Sequence, residues 1–187
     1  MNIIVKTFGG NVIVRPDTTW EKDNEDIYPQ DFIETLSFTP VLFVRISKPG
    51  KSVGLRFASR YYDSANYGLL LYPGNLLRGG EEDFACASCI DHTSFLPAPL
   101  YQKCVFGTAG NEFILSKDGK EIFRTSTEGL DRIEEAIEEA TRKIYIRTGD
   151  LVAIELDSRK MLYDRAEGIV NIHGTFCGNE TVSFNIK

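Results

Sequence analysis

The chain has 187 residues, 42% of them apolar, and a formal net charge of -6 at pH 7. This length and composition can bury one substantial core, so we expect a single domain over residues 1–187. The acidic balance provides no basic field for nucleic acid or anionic lipid, and no apolar run approaches the roughly 20 residues of a membrane helix. The first residues show no signal-peptide pattern. We therefore expect a cytoplasmic protein with no nucleic-acid or membrane partner.

Most segments of the chain carry the short apolar or alternating runs that are typical of β-strands. Gly9-Gly10 separates the runs NIIVKTF and NVIVRP, which predicts an N-terminal hairpin. Asp118-Gly119 lies inside EFILSKDGKEIFRTS and is the strongest short hairpin signal in the chain. The remaining predicted strands are TPVLFVRIS, YGLLLYP, LVAIELD, GIVNIHG and TVSFNIK, with Gly178-Asn179 turning the last pair.

One segment has the periodicity of a helix and predicts an amphipathic helix over about residues 128–143, with its apolar face against the sheet. The apolar residues that recur at helical spacing are Leu130, Ile133, Ala136, Ile137, Ala140 and Ile144. Acidic residues crowd the first turns and basic residues close the last one, which complements the helix dipole. We interpret the acid-rich outer face as solvated surface rather than a metal site. A shorter helix is predicted over residues 30–37.

Five segments in the second half of the chain follow one another in a characteristic order. They are LPAPLY, LSKDGKEIF, RTSTEGLDRIEEAIEEA, RTGDLVAIEL and GIVNIHGTFCGNETVSFNIK. In this order the chain resembles the fumarylacetoacetate hydrolase superfamily, whose catalytic domain has the elements plGPw, vNGe, qxgnT with a helix, pGDlixtGTP and a closing strand. The resemblance is best over residues 89–187, and TPVLFVRISKPG is similar to the family's pxfFxKpxs strand. It implies a mainly β (α+β) protein with a rolled, mostly antiparallel β-sheet core and one principal amphipathic helix.

The stretch CASCIDH, from Cys86 to His92, has a spacing that suits either zinc ligands or a redox pair. The resemblance places it, with Asp91, at the family's GKSFDtfxPlGPw element, which implies a strand leading into a turn. Cysteines three positions apart on a strand point to opposite faces, so Cys86 and Cys89 could not hold one metal ion. We expect Cys86 and Cys89 to be semi-buried structural thiols, reduced like Cys104 and with their reactivity open, and His92 to be hydrogen-bonded.

Enzymes of the resembled family hold a 2-oxo acid on Mg²⁺ or Ca²⁺, and the resemblance implies where the ligands should lie. The family's two glutamates in DxExEL correspond to Ala65 and Tyr67 in YDSANYGLLLYP, which leaves only Asp63 as a carboxylate there. The residue nearest to the aspartate of NDvSxR is Asp83. Most of the oxygen ligands that a hard divalent ion needs are therefore missing.

Three further elements of the family's site are also absent. The lysine of GKSFD, which stabilises charge on the substrate, corresponds to Ser88. Glu155 replaces part of the family's loop of small residues with the sequence Gly-Thr-Pro. Neither histidine of the chain lies in the first ninety residues, where the hydrolases carry the lid histidine that acts as a base.

Two hypotheses from different classes follow. We favour a catalytically degenerate member that keeps the fold for a binding, regulatory or assembly role and needs no cofactor. The alternative is a metal-dependent hydrolase, decarboxylase or isomerase that uses Mg²⁺ or Ca²⁺ on a small 2-oxo acid or acylpyruvate, with a rebuilt site. The candidate metal ligands for such a site are Asp63, Glu81, Glu82 and Asp83, and the candidate catalytic residues are Ser88, Asp91 and His92.

The resemblance also implies an assembly, because members of the family usually pair through sheets near the active site. We expect a homodimer or a heteromer with a paralogue that keeps its site. A small 2-oxo acid is the ligand class that the family suggests. The aromatic-rich segment YYDSANYGLLLYP is the predicted interface.

Overall fold

The computed structural model describes residues 1–126 and 129–187. Among these residues the β-strands are β1 (Asn2–Lys6), β2 (Val12–Pro16), β3 (Trp20–Glu21), β4 (Thr35–Arg45), β5 (Ser64–Pro73), β6 (Ser94–Phe95), β7 (Tyr101–Gln102), β8 (Glu112–Lys117), β9 (Lys120–Ser126), β10 (Leu151–Glu155), β11 (Lys160–Asp164), β12 (Val170–Phe176) and β13 (Asn179–Ile186). The α-helices in the same ranges are α1 (Leu55–Ala58), α2 (Glu81–Ala87) and α3 (Leu130–Lys143). None of these described helices is long and apolar enough to cross a membrane. Strands dominate, so the prediction of a mainly β protein is confirmed.

The larger sheet has the strand order β2-β1-β10-β4-β5-β6-β3, with β11 added to β4 and β7 added to β5. The pairs β1–β10 and β3–β6 are parallel, and the other pairs are antiparallel. The two ends of this series, β2 and β3, are consecutive in the chain and are joined by Asp17–Thr19. The sheet therefore curls back on itself, and the prediction of a rolled, mostly antiparallel core is confirmed.

A hydrogen bond across the roll shows how strongly the sheet is curled. Arg15 of β2 donates from Nη2 to the carbonyl oxygen of Leu71 in β5 at 3.1 Å. Four strand spacings in a flat sheet would put these strands about 19 Å apart, beyond the reach of an arginine side chain. The inside of the roll is lined mainly by apolar residues, which include Ile3, Val5, Val41, Phe43, Leu70, Tyr72, Leu151 and Ala153.

The outer face of the roll packs against a second layer, which consists of α3 and a four-stranded antiparallel sheet in the order β13-β12-β8-β9. The β8–β9 hairpin turns at Asp118 and Gly119, whose φ angles of 49° and 77° are left-handed. The β12–β13 hairpin turns at Cys177 and Gly178, with φ angles of 54° and 75°. The three hairpins predicted from the sequence are therefore confirmed, including the N-terminal pair β1–β2, but the last one turns one residue earlier than the predicted Gly178-Asn179.

The helix α3 lies with one face on the outside of the roll, as its periodicity predicts. Its buried residues are Ile133, Ala136, Ile137, Ala140 and Thr141. Glu128, the predicted first residue, lies outside the described residues. The helix as described begins at Leu130, after Gly129 with a φ of 117°. The apolar face of the helix is confirmed.

Two local predictions are wrong. Residues 30–37 do not form a helix, because the chain enters the long paired strand β4 at Thr35. The stretch that contains Cys86 is not a strand, since it lies in α2, where Asp83 caps the helix by accepting a hydrogen bond from the backbone N of Gly80 at 3.1 Å. Cys86 is therefore helical and Cys89 follows the helix, so the argument from opposite strand faces does not apply. Both thiols are exposed rather than semi-buried, and free.

The predicted interface segment YYDSANYGLLLYP lies in the core. It forms β5 and the residues before it, and β5 is paired on both sides, by β4 and by β6 and β7. Tyr62, Tyr67 and Tyr72 are fully buried. These aromatic side chains fill the interior of one chain, and they cannot form an interface between chains.

Candidate functional site

The resemblance seen in the sequence places the family's two metal-binding glutamates at Ala65 and Tyr67, near the beginning of β5. Ala65, Tyr67 and Leu69 alternate along β5 and point to the outer face of the roll, toward the second layer. Ala65 and Tyr67 are both fully buried. Both positions are therefore inside the packed core between the two layers.

Tyr67 is the centre of an aromatic cluster that fills this position. Its ring stacks on the Phe113 ring at 4.8 Å between centroids, meets the Phe176 ring edge-on at 5.0 Å and lies 5.7 Å from the Phe106 ring. Its hydroxyl donates to the carbonyl oxygen of Ser126 at 3.2 Å. Aromatic pairs at these separations attract one another, so the cluster is a well-packed part of the core.

The strand beside β5 continues the apolar surface. Phe95 of β6 lies opposite Leu69, and its ring stacks on Phe184 at 3.8 Å between centroids. Gly68 permits this close approach, because a Cβ at that position would collide with the carbonyl oxygen of Phe95. A hard divalent ion needs about six oxygen ligands, whereas this surface offers aromatic and aliphatic carbon. The residues present do not fit a metal ion of the family's kind at this position.

A cavity of about 700 Å³ opens beside the aromatic cluster. Phe106, whose ring is close to Tyr67, forms part of its wall, and Leu130 at the beginning of α3 forms another part. The charged residues that line the cavity are Lys103, Arg124, Asp131 and Arg132. The walls of this cavity therefore combine aromatic and aliphatic carbon with three cations and one carboxylate.

Lys103 lies at the wall of this cavity in contact with the core. Its ammonium group is 3.7 Å from the centre of the Tyr62 ring and donates a hydrogen bond to the carbonyl oxygen of Ser59. The Tyr62 hydroxyl in turn donates to Glu134 Oε1 at 3.3 Å. Partial burial lowers the pKa of Lys103, and the nearby carboxylates of Glu134 and Asp63 oppose that shift. No motif surrounds Lys103 in the sequence, so the residue carries no local signal of a site.

The two arginines of the cavity differ in what they already bind. Arg124 is paired with the carboxylates of both Glu112 and Glu121. Arg132 is exposed and donates from Nη2 to the carbonyl oxygen of Glu155 at 3.2 Å. It has no ion-pair partner within residues 1–126 and 129–187. Arg132 is thus the arginine of the cavity that retains donors for an anionic group.

The site candidates on and next to α2 lie on the opposite side of the roll wall from Tyr67, since Phe84 of α2 packs with the inner face of the roll. Asp83 caps the helix, and the buried Ser88 donates from its hydroxyl to the carbonyl oxygen of Phe84 at 2.7 Å. Glu82 is exposed, and the side chain of Glu81 is outside the described part of the chain. The match of Ser88 to the family's lysine assumes a strand in this stretch, and the helix removes that basis.

Asp91 and His92 lie together in a separate cavity of about 390 Å³. Nδ1 of His92 is 3.1 Å from Oε2 of Glu21, so the histidine is hydrogen-bonded to a nearly buried carboxylate. Asp63 lies elsewhere, in a shallow hollow with Arg45. The structure therefore brings Asp91 and His92 together but does not bring Asp63 to them. Over the described ranges, no group of three or more histidine, cysteine or carboxylate side chains is placed to hold a metal ion.

A charged network inside the roll is also missed by the sequence analysis. The fully buried Arg15 donates from Nε to the carbonyl oxygen of Ser88 at 3.0 Å, and its guanidinium carbon lies 4.8 Å from the centre of the Tyr72 ring. The Tyr72 hydroxyl donates to Glu155 Oε1 at 2.8 Å, and Glu155 Oε2 accepts from the backbone N of Phe8 at 2.7 Å. Burial lowers the pKa of Arg15. Glu155 thus has a structural role at the end of the roll.

The curled mixed sheet and its covering layer of four strands and one long helix define the fold of the fumarylacetoacetate hydrolase family. A protein from Yersinia pestis CO92 assigned to that family matches with a TM-score of 0.81 and 16% identity, over 100% of this chain and 92% of that protein. The fumarylpyruvate hydrolase from Pseudomonas aeruginosa, solved in complex with Mn²⁺ and pyruvate, matches with a TM-score of 0.77 and 14% identity, over 100% of this chain and 90% of its own. The 5-carboxymethyl-2-hydroxymuconate delta-isomerase from Mycobacterium smegmatis matches with a TM-score of 0.74 and 16% identity, over 93% of this chain and 67% of its own.

No protein-family model matches the chain. No curated protein matches it either. The structural likeness at low identity shows the fold, and at that level the resemblance seen in the sequence is confirmed.

Proposed function

We propose that this chain is a catalytically degenerate protein of the fumarylacetoacetate hydrolase fold, with a binding, regulatory or assembly role. The packing of Tyr67 is the observation that carries this proposal. A fully buried ring among Phe106, Phe113 and Phe176 occupies a position that holds a metal ligand in the resembled family. A side chain packed in this way leaves no space for an ion and its water ligands.

The comparison with the fumarylpyruvate hydrolase from Pseudomonas aeruginosa sharpens the proposal. That protein was solved with Mn²⁺ and pyruvate. In this chain one exposed carboxylate, Asp63, precedes the corresponding strand β5. The first residues of β5 include Ala65 and Tyr67. One carboxylate does not replace a set of oxygen ligands, so we expect Mn²⁺ affinity no better than about millimolar.

The cavity beside the aromatic cluster supports a binding role rather than a purely structural one. It has a volume of about 700 Å³ and is lined by Lys103 and by Arg132, which retains free donors. Volumes of this size are typical of sites for small ligands. A small anion, with a 2-oxo acid as the leading class, is therefore the ligand that we propose.

Thermal unfolding and calorimetry with Mn²⁺ test the proposal. A ligand that binds only the folded state raises the melting temperature, so Mn²⁺ should leave the unmodified protein unchanged. The double variant Ala65→Glu/Tyr67→Glu should be less stable without metal and should regain stability when Mn²⁺ is added. The matched variant Ala65→Gln/Tyr67→Gln has similar shape but no charge, and it should not respond to Mn²⁺.

Tight Mn²⁺ binding to the unmodified protein, abolished by Glu82→Ala or Asp83→Ala, would contradict the proposal. It would favour the alternative of a metal-dependent hydrolase, decarboxylase or isomerase with a rebuilt site. Turnover of an acylpyruvate or of oxaloacetate above background in the presence of Mn²⁺ would have the same meaning.

We also propose that the chain forms a homodimer or pairs with a paralogue, and that it acts in the cytoplasm. The four cysteines are all free, which suits a reducing compartment. Exposed apolar side chains that a partner could cover are Phe8, Val14, Tyr28, Phe32, Leu55, Phe57, Tyr145, Met161 and Ile169. Analytical ultracentrifugation should give a mass above the 21.0 kDa of one chain. A monomer at micromolar concentration would rule out the homodimer.

A further inference from the structure

We propose that Cys86 and Cys89 form a reversible disulfide, which makes the end of α2 a site of thiol oxidation. The inference goes beyond the proposed function and does not depend on it. Two features carry it. The turn that follows α2 puts the two side chains next to each other, and both side chains face solvent on the same side of that turn.

The turn at the end of α2 is tighter than a regular α-helix. The backbone N of Cys89 donates to the carbonyl oxygen of Cys86 at 3.1 Å. One residue earlier, the backbone N of Ser88 divides its hydrogen bond between the carbonyl oxygens of Phe84 and Ala85, at 3.1 and 3.2 Å. A hydrogen bond between residues three positions apart is the 3₁₀ pattern, in which the side chains at those two positions are eclipsed. The side chains of Cys86 and Cys89 are therefore neighbours.

Burial along the same four residues indicates the same arrangement. Cys86 and Cys89 are exposed, whereas Ala87 and Ser88 between them are buried. Ala87 packs with the apolar residues inside the roll. Since the two residues between the cysteines face the protein, both sulfur atoms face solvent, where an oxidant can reach them.

The turn is fixed from the inside of the roll. The Ser88 hydroxyl donates to the carbonyl oxygen of Phe84 at 2.7 Å, and the Ser88 carbonyl oxygen accepts from Nε of the fully buried Arg15 at 3.0 Å. Arg15 also donates to the carbonyl oxygen of Leu71, which joins the turn to β5. The folded chain thus holds the two cysteines in place, and each thiol has a high effective concentration toward the other.

The proposed bond is strained. A disulfide joins Cβ atoms about 3.5–4.5 Å apart, whereas positions three apart on a regular α-helix have Cβ atoms about 5–6 Å apart. The 3₁₀ turn shortens that separation, and Cys89 lies beyond the last residue of α2. Strained and exposed disulfides are readily reduced. We therefore expect the bond to form under oxidation and to open again with a thiol reductant.

Cys104 is too far away to compete for either thiol. It follows β7, which pairs with β5 at Ser64, whereas Arg15 holds the cysteine turn beside Leu71, near the other end of β5. Positions 64 and 71 of a strand are about 23 Å apart, at about 3.3 Å per residue. Cys104 is also exposed, so it serves as a matched control for the reactivity of the pair.

The proposed oxidation uses hydrogen peroxide as the oxidant. One thiolate attacks the peroxide, an S–O bond forms, the O–O bond breaks, and the released hydroxide takes up a proton to give water. The other thiolate then attacks the sulfenic sulfur, an S–S bond forms, the S–O bond breaks, and the second hydroxide also leaves as water. The two sulfur atoms together lose two electrons, which the peroxide gains. The two thiol protons end in the water.

Mass spectrometry of the oxidised full-length protein tests the proposal. The reduced protein is treated with an equimolar amount of hydrogen peroxide, and the remaining thiols are alkylated in denaturant. Two of the four cysteines should escape alkylation. The trypsin fragment of residues 79–103, which contains both Cys86 and Cys89, should have lost two hydrogens. Dithiothreitol added before alkylation should restore all four reactive thiols.

Serine variants identify the partners. Cys86→Ser and Cys89→Ser should each abolish the fragment that has lost two hydrogens, whereas Cys104→Ser should keep it. Phenylarsine oxide bridges neighbouring thiols and gives a second measurement that needs no bond between the sulfur atoms. One molecule should bind to the reduced protein and to Cys104→Ser. None should bind after oxidation or to either of the other two variants.

Oxidation of Cys86 and Cys89 no faster than that of Cys104 would overturn the proposal, and so would a disulfide between two chains in place of the internal one. Binding of phenylarsine oxide without disulfide formation would also overturn it, because the turn would then keep the neighbouring thiols too far apart to bond. None of these outcomes changes the meaning of the Mn²⁺ experiment, which concerns the other side of the roll wall.

Discussion

Truncation of Tyr67 measures how much the aromatic cluster contributes to the stability of the core. Removing a buried aromatic ring costs about 3–5 kcal/mol, and loss of the donor to the Ser126 carbonyl oxygen adds about 1 kcal/mol. Tyr67→Ala should therefore lower the free energy of unfolding by about 4–6 kcal/mol. Tyr67→Phe keeps the ring contacts with Phe113 and Phe176 and loses only the hydroxyl, so its cost should be about 1 kcal/mol.

Urea unfolding followed by the fluorescence of Trp20, the one tryptophan in the sequence, gives both values. Tyr145→Ala changes an exposed tyrosine and serves as the control, with an expected effect within about 0.5 kcal/mol. If Tyr67→Ala costs less than about 1 kcal/mol, the ring does not contribute to the core as its contacts indicate. The argument that aromatic packing excludes a metal ion would then lose its basis.

Two other substitutions test the fold. Ile137→Asp puts an unpaired charge on the buried face of α3 and should lower the free energy of unfolding by about 3–5 kcal/mol. Glu135→Asp, at an exposed position of the helix, should cost about 0.5 kcal/mol. Equal melting temperatures for the two variants would contradict the assigned face. Hydrogen bonds from Lys187 and Asn185 lower the pKa of Asp26 from 3.8 to about 2. The folded state therefore favours the carboxylate, and the stability from this group is present above pH 3.8 and is lost as the pH falls toward 2. The Asp26→Asn variant should lose less stability than the unmodified protein over that pH range, as measured by acid unfolding. Identical acid-unfolding profiles for the two proteins would show that the pair of Asp26 and Lys187 does not persist in solution.

The elements that the sequence predicts correctly are those with a strong local signal. Asp118-Gly119 forces a turn between two runs of alternating residues, and the spacing of Ile133 and Ile137 defines a helix face without reference to the rest of the chain. The same holds for Ala65 and Tyr67, because alternation along a strand puts them on one face wherever that strand lies. Local rules of this kind are sufficient to predict which residues of a strand or helix share a face.

The sequence predicts the structure wrongly or incompletely where local signals are weak, or where a contact joins residues far apart in the sequence. The seven residues of α2 are too few to show helical periodicity, and Asp83 acts as its cap only once Gly80 adopts the required geometry. The contact of Lys103 with Ser59 joins residues 44 positions apart, and that of Arg15 with Leu71 joins residues 56 positions apart. Pairings over such distances depend on how the sheet curls, which no short motif encodes. The cavity at Lys103 therefore emerges only from the folded chain.

The aromatic cluster around Tyr67 also makes a carboxylate costly at positions 65 and 67. A single change to glutamate at position 65 or 67 would bury a carboxylate among rings that provide it with no cation, and such a charge costs several kcal/mol. A metal ion would compensate only after several oxygen ligands were present together. Every intermediate on that path would be less stable than the starting protein, so selection for folding opposes the first step. A lineage that carries this core is thus expected to change at its surface cavities rather than to place carboxylates at these two positions.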